Sequence, residues 1–398
     1  MVTKLVLFFG RDQALSLSEA LFFLKDNGMA FSLEAKEERF AVFSFGSEVS
    51  ALALLQSLGG TAKIASVLFE LERFDAKALE KRLKERAFFD ALPEKFFYYS
   101  SVLGNTELDA ALRDALKQSF KGQKLRAMFK HPKELKVRAQ QTMGPSELRR
   151  WKLLDSGFEL LVLRSGQKLL VCKTVAATDV EALKKRDLQR PAQKPKHEIS
   201  LRLARILLNL ASAGKGKTVL DPFCGTGTIM QEALFNGANA IGLELDAKTA
   251  AMAKKNLEWF SQNFNASGVW RVINADSAVL SSLLKKREFD CVVTEPYMGP
   301  LINTVLPEQI VKKTVTELEA LYSKVFFELS KIMERGQRVV FILPSIPATS
   351  GKKIAVSEKV FFEQGFSCIN PAGEKLLPYN YQQKTSKILR RIFVLEKT

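Results

Sequence analysis

The 398-residue chain is 46% apolar with 29 Phe, and its 60 Lys and Arg against 43 Asp and Glu leave a formal net charge of +17. That composition excludes a disordered chain and allows two or three domains with large cores. No apolar run approaches the roughly 18 residues of a membrane helix, and Cys172, Cys224, Cys291 and Cys368 form no CxxC pair, which disfavours a structural zinc site.

In chain order, Lys4 to Phe9 reads as a strand, Ser16 to Asn27 as a helix stopped by Gly28, Phe40 to Phe45 as a strand and Ala51 to Leu58 as a helix ended by Gly59-Gly60. Strand character resumes over Thr61 to Leu71. This mixture predicts an α+β region over residues 1–80. The pattern repeats over 81–176: strand Phe96 to Leu103, helix Glu107 to Phe120, strand Lys124 to Phe129, helix Gly144 to Leu154. A hairpin, Phe158 to Arg164 and Lys168 to Thr174, turns at Ser165-Gly166-Gln167. Residues 177–200, with Pro191 and Pro195, read as a basic linker. Over 201–398 the helix Leu201 to Ala211 precedes strands at Thr218 to Leu220, Ala240 to Glu244, Val269 to Asn274, Asp290 to Thr294, Arg338 to Leu343 and Lys387 to Leu395. Helical stretches between them imply a parallel α/β sheet with crossover helices.

The positive charge is clustered. Lys117 to Arg138 holds eight Lys or Arg and one acid, Glu134; Lys184 to Lys196 holds six and one, Asp187. Such clusters suit phosphate and make binding salt-dependent. His131 and His197 lie within the basic stretches and can touch phosphate or merely face solvent. Widely spaced thiols without a secretory pattern point to the cytoplasm.

The sharpest local signal is Asp221-Pro222-Phe223-Cys224-Gly225-Thr226-Gly227-Thr228, an apolar strand running through an acid and a glycine loop into a helix. Glycines let a ligand approach the backbone, and the helix start offers free amides. A plain strand-to-helix turn explains the loop alone. It does not explain Glu244 and Asp276 at the next two strand ends, where ribose hydroxyls and an adenine amine are met in doubly wound sheets. Asp221 would repel a pyrophosphate but suits the ammonium and ribose of S-adenosylmethionine, which has no phosphate. Phe223, Gly225, Thr226 and Gly227 complete the candidate cofactor set. Cys224, inside this loop, reads as packed, and Phe361 and Phe362 as core.

The strand ending at Thr294 leads into Thr294-Glu295-Pro296-Tyr297-Met298-Gly299-Pro300. Enzymes that methylate amino groups place an acid or amide, prolines and an aromatic at this strand end. Acceptors on the hydrogens of an exocyclic amine restore its nucleophilicity, and the aromatic stacks on an extruded base. Thr294, Glu295, Pro296 and Tyr297 are therefore the candidate catalytic residues.

On these motifs the C-terminal half resembles the THUMP-domain tRNA guanosine 2-amino methyltransferases. The likeness starts at Lys185-Arg186-Asp187-Leu188-Gln189-Arg190-Pro191 and Leu203-Ala204-Arg205 to Asn209-Leu210-Ala211. It continues through Asp221 to Gly227 and Asn256-Leu257-Glu258-Trp259 to Thr294–Pro300. Gly59-Gly60-Thr61-Ala62-Lys63-Ile64 and Pro132-Lys133-Glu134-Leu135 are similar to the family's N-terminal regions. The resemblance implies a ferredoxin-like region (1–80), a THUMP-like RNA-binding region (81–176) and a Rossmann-like methyltransferase domain (201–398). It also implies S-adenosyl-L-methionine as cofactor and tRNA as partner; from the cysteine spacing and the apolar runs, neither a metal nor a membrane is expected. A monomer, with or without a small activator subunit, is compatible with the resemblance. The family commonly has Asp where Thr294 stands and Pro where Leu201 stands. An adenine amino methyltransferase on RNA or DNA, and a non-catalytic RNA-binding relative, are the alternatives.

Overall fold

The computed structural model describes residues 3–398 except 87, 91, 104, 132–141, 194–198, 265, 267, 301–303 and 384–385. The chain divides into two compact units. The first holds residues 1–13, 29–57 and 61–185; the second holds 14–28, 58–60 and 186–398.

The first unit is built on β1 (Thr3–Phe9), β2 (Phe31–Lys36), β3 (Phe40–Phe45), β4 (Thr61–Leu71), β5 (Lys95–Val102), β6 (Arg126–Phe129), β7 (Phe158–Ser165) and β8 (Lys168–Ala177). They form one sheet in the order β2-β3-β1-β4-β8-β7-β5-β6. The regions 1–80 and 81–176 thus share a single sheet, joined where β4 runs antiparallel to β8. Phe88, Phe96, Tyr98, Phe120 and Phe158 pack edge-on or tilted beneath it, with ring centroids 5.0–6.5 Å apart. Such pairs add about 0.5–1.5 kcal/mol each beyond the area they bury. Lys63, from the Gly59–Ile64 motif, is buried 2.6 Å from the carboxylate of buried Glu159. Burial dominates and lowers the Lys63 pKa, while Glu159 opposes the shift.

The helices, in chain order, are α1 (Gln13–Asp26), α2 (Ala51–Ser57), α3 (Ala76–Glu85), α4 (Thr106–Gly122), α5 (Pro145–Arg150) and α6 (Val180–Leu188). They continue as α7 (Leu201–Leu210), α8 (Thr228–Phe235), α9 (Ala247–Asn263), α10 (Leu280–Leu283), α11 (Glu308–Ile332) and α12 (Lys359–Phe362). The segment expected to be linker therefore begins as α6, because Val180 to Leu188 has no helix breaker and prolines enter only at 191.

The second unit holds β9 (Thr218–Asp221), β10 (Asn239–Glu244), β11 (Trp270–Asn274), β12 (Cys291–Thr294), β13 (Arg338–Pro347), β14 (Lys353–Ala355), β15 (Phe366–Cys368), β16 (Tyr379–Gln382) and β17 (Leu389–Lys397). The sheet order is β11-β10-β9-β12-β13-β17-β15, with β14 on β13 and β16 on β17. Strands β9 to β13 are parallel as expected, but β17 runs antiparallel to β13, from Arg338 opposite Glu396 to Ser345 opposite Leu389. The chain reaches β17 through a β16 hairpin and not a crossover helix, and spacing alone did not distinguish the two. Phe361 is buried as expected, whereas Phe362 is 45% exposed.

The least expected member of this unit is α1. Its Leu15 and Phe22 belong to the same core as Leu207, Ile229 and Val394. Buried Glu19 accepts from the amides of Gly59 (2.6 Å) and Gly60 (2.7 Å) and from Asn209 Nδ2 of α7 (2.6 Å). A Cβ at Gly60 would lie 2.4 Å from Ser16 Oγ, so the glycine permits the approach. Asp26 pairs with Arg338 at the start of β13. The double glycine, read as a helix stop and as part of a family-like motif, is also a docking point for a buried carboxylate.

Candidate active site

The glycine loop leaves β9 at Asp221 and enters α8 at Gly227. Gly227 has φ +89 and Gly225 φ +53, the left-handed region that glycine occupies without strain. The loop is stitched to the neighbouring strand ends. The Cys224 amide donates to the Leu243 carbonyl (2.9 Å), and the Gly225 amide donates to Glu244 Oε2 (3.1 Å). Glu244 Oε1 accepts from the Asp246 amide (2.9 Å), so both of its oxygens are oriented by backbone. Ser277 Oγ donates to the Pro222 carbonyl, tying in the end of β11. Asp276 is exposed beside it and caps the turn that follows by accepting from the Ala278 amide.

Asp221 is buried. Its Oδ1 accepts from the Phe223 amide (3.1 Å) and from Thr294 Oγ1 (2.7 Å). Burial raises its pKa to about 7; the two hydrogen bonds oppose the shift, and the nearby carboxylates of Glu244 and Glu295 add to it. Burial likewise pushes the Cys224 thiol well up, so it is a packed side chain and not a nucleophile.

Sequence reasoning missed what braces the loop from behind. Buried Asn256 of α9 donates to the carbonyls of Thr226 and Ala192 (both 2.9 Å) and accepts from the Ala192 amide (2.9 Å). Arg190 donates to Thr228 Oγ1 (2.8 Å) and Asp187 (2.7 Å). Buried Glu232 of α8 faces Arg186 at 2.7 Å and Arg205 at 2.8 Å. Two members of the second basic cluster, Arg186 and Arg190, are therefore spent inside the protein; Lys194, Lys196 and His197 lie outside the described residues. Exposed Leu245 (69%) and Val279 (48%) flank Glu244 and Asp276, apolar positions that no motif flagged.

At the end of β12, Thr294 is wholly buried and its hydroxyl is engaged by Asp221, a different setting from the open acceptor the sequence suggested. Glu295 accepts from Arg390 Nε of β17 (2.5 Å), with 9% and 5% of the two side chains exposed. Pro296 is buried. The Tyr297 ring is 56% exposed, while its carbonyl is fixed by the Tyr322 hydroxyl of α11 (2.6 Å). Gly299 has φ +95 and lies against Thr314 of the same helix. Among the described residues there is no group of three His, Cys, Asp or Glu able to hold a metal, and no helix long and apolar enough to cross a membrane.

A parallel sheet with one antiparallel insertion, a glycine loop after its central strand and carboxylates at neighbouring strand ends define a Rossmann-like methyltransferase domain. Residues 188–351 match the family model described as the RMKL-like methyltransferase domain. A DNA methylase model matches residues 78–255, running from one unit into the other and stopping before the Thr294–Tyr297 turn. Relatives include the tRNA (guanine(10)-N2)-dimethyltransferase of Methanocaldococcus jannaschii, 33% identical over 32% of this chain and 35% of that protein. The enzyme of the same name from Methanothermobacter thermautotrophicus is 32% identical over 29% and 33%. The matches thus span about a third of these curated relatives. Among solved structures, TrmN from Thermus thermophilus shares the fold over the full length of both chains, with a TM-score of 0.52 at 17% identity.

Proposed function

We propose that this protein transfers a methyl group from S-adenosyl-L-methionine to the exocyclic 2-amino group of guanosine in tRNA. The observation that carries the reading is the 2.7 Å bond between Asp221 and Thr294. It locks the glycine loop of β9 to the first residue of the acceptor turn on β12, so whatever binds one lies beside whatever binds the other. Transfer between two bound partners then needs mainly proximity and alignment.

In this reading Glu244 takes the ribose hydroxyls, Asp221 and the Gly225–Gly227 loop take the amino-acid end, and Asp276 meets the adenine amine. Phe223, Leu245 and Val279 supply apolar surface around the adenine. The cofactor supplies an activated methyl on a sulfonium. Tyr297 is the exposed ring on which an extruded base stacks. The names of the curated relatives support tRNA and the guanine 2-amino group as target.

The first unit supports RNA docking, as a THUMP-like region would. Lys117, Lys121, Lys124 and Arg126 are exposed, and Lys130 lies 4.2 Å from the rings of both Phe97 and Trp151. The remaining basic residues of that cluster, and Pro132 to Leu135, lie outside the described residues. Adenine amino methylation is the second reading, favoured by the DNA methylase match, but that match omits the acceptor turn. Mass spectrometry of nucleosides from bulk tRNA, with and without the gene, separates the two. Loss of a 2-methylated guanosine is expected; loss of a methyladenosine instead overturns the assignment.

A further inference from the structure

We propose that Arg390 is the positioning residue of the acceptor site and that it makes Glu295, in place of Thr294, the group that accepts the amine hydrogens. This rests on the function proposed above and assigns a role to a strand, β17, that carries no recognised motif.

Thr294 is closed to the base: its hydroxyl donates to Asp221, and the side chain is fully buried, so the oxygen's lone pairs are out of reach of an incoming amine. The Tyr297 carbonyl is taken by Tyr322. The strong acceptor left on the turn is the Glu295 carboxylate. Arg390 Nε binds Oε1, and among the described residues Oε2 has no hydrogen bond. An ion pair this enclosed holds one geometry, because neither side chain can exchange its partner for water.

Register explains how Arg390 reaches the turn. On β17 it lies opposite Pro344 of β13 and, on the other side, opposite Tyr381 of β16. Ile392 and Val394, at alternate positions along β17, point into the core shared by α7 and α8, so Arg390 continues the same face. Arg390 stands at the amino end of β17, which the antiparallel run puts at the carboxyl edge of the parallel strands, and there it meets Glu295. Buried Nη1 of Arg390 has no hydrogen-bond partner among the described residues. An uncompensated guanidinium donor is costly to bury without a reason, and it leaves the arginine with spare capacity beside the acceptor turn.

During transfer the amine nitrogen forms its bond to the methyl carbon as the carbon–sulfur bond breaks, with the bonding pair going to sulfur. The nitrogen then sheds a proton, which the Glu295 carboxylate receives. Arg390 keeps that carboxylate oriented without touching the base, so it is a positioning residue and not a catalytic one.

The test uses the full-length protein, unmodified tRNA transcript and S-adenosylmethionine. Glu295→Gln, Arg390→Gln and Arg390→Lys are compared in single-turnover methyl transfer, with cofactor affinity measured by calorimetry. Glu295→Gln and Arg390→Gln should each slow transfer at least tenfold, with cofactor affinity within about twofold of the parent and little change in KM for tRNA. The double Gln variant should be no slower than the slower single. Arg390→Lys should recover part of the rate. Should Arg390→Gln fail to fold, Glu295→Gln and Arg390→Lys carry the test, because Glu295→Gln removes only charge. Glu295→Gln at the parental rate, or single effects that multiply in the double variant, overturns the inference and leaves the functional reading intact. A parent that methylates no tRNA nucleoside overturns the functional reading and the role of Glu295 with it.

Discussion

The two halves of the site are held by opposite strategies. The cofactor loop is gripped mostly at its own backbone, by side chains from the end of β10, from α9 and from the segment before α7. Asn256 fastens Thr226, Glu244 meets the Gly225 amide, and Arg190 meets Thr228. The acceptor turn is gripped mostly at its own side chains, from the neighbouring strand β9 and from β17 and α11: Asp221 on Thr294, Arg390 on Glu295, and Tyr322 on the Tyr297 carbonyl. A ligand common to many enzymes can be met by a conserved backbone shape. A particular base demands adjustable side chains, and their supports can come from anywhere in the fold. The difference teaches that changes on the first half should register in cofactor affinity, and changes on the second in transfer alone.

The largest expected effect lies where the halves meet. Asp221 has its pKa raised to about 7 from an ordinary 3.8, mainly by burial. A carboxyl whose folded pKa is raised adds stability fully below the unfolded value, near pH 4, and loses it as pH rises through about 7. The upper bound is on the order of 4 kcal/mol, at 1.36 kcal/mol per unit. Urea unfolding of the parent should therefore show stability falling between about pH 4 and pH 7, and levelling off above that, relative to Asp221→Asn. Parallel curves for the two proteins remove Asp221 as the titrating group.

Next, Glu244→Ala removes a charged acceptor from the cofactor side alone. S-adenosylmethionine binding should weaken by about 1.5–3 kcal/mol, roughly 10- to 150-fold, in calorimetry. An unchanged affinity takes Glu244 out of the site. The smallest effect is expected from Tyr297→Ala, where a stacking loss of roughly 1–3 kcal/mol slows single-turnover transfer and spares cofactor affinity. Transfer at the parental rate shows that the base is held elsewhere, and a loss of cofactor affinity blurs the division between the halves.

Local signals led to the loop, to Glu244 and to the Thr294–Tyr297 turn because each is a short run of backbone-determining residues at a strand end. Strand boundaries such as Phe40–Phe45 and Thr61–Leu71 were legible for the same reason: alternating or continuous apolar runs closed by glycine or polar residues. Arg390 was not legible. It sits 95 residues from Glu295 in an unremarkable Leu389–Lys397 strand, and only the antiparallel return of β17 brings them together. Arg186 and Arg190 were counted with the basic surface, since charge reads as exposure until a buried partner such as Glu232 is seen. Glu19 carries no signal of its own in the sequence; its burial depends on the amides of Gly59 and Gly60, which no periodicity encodes.

The membership of α1 in the second unit has a consequence for how the protein is made. Asp26 and its partner Arg338 are 312 residues apart. At the roughly 5–20 residues per second of synthesis, the helix emerges about 15–60 s before that partner does. Gly59, Gly60, Asn209, Leu207 and Ile229, which hold Glu19 or share the core with Leu15 and Phe22, emerge within that interval, but the core stays incomplete until Val340, Ile392 and Val394 follow, although the strands on either side of the helix are already available to pair. A helix made early is thus fully buried late. A nascent chain stalled before β13 would display an apolar helix that chaperones could recognise, and a gene fragment beginning at the linker would encode a methyltransferase sheet with one wall missing.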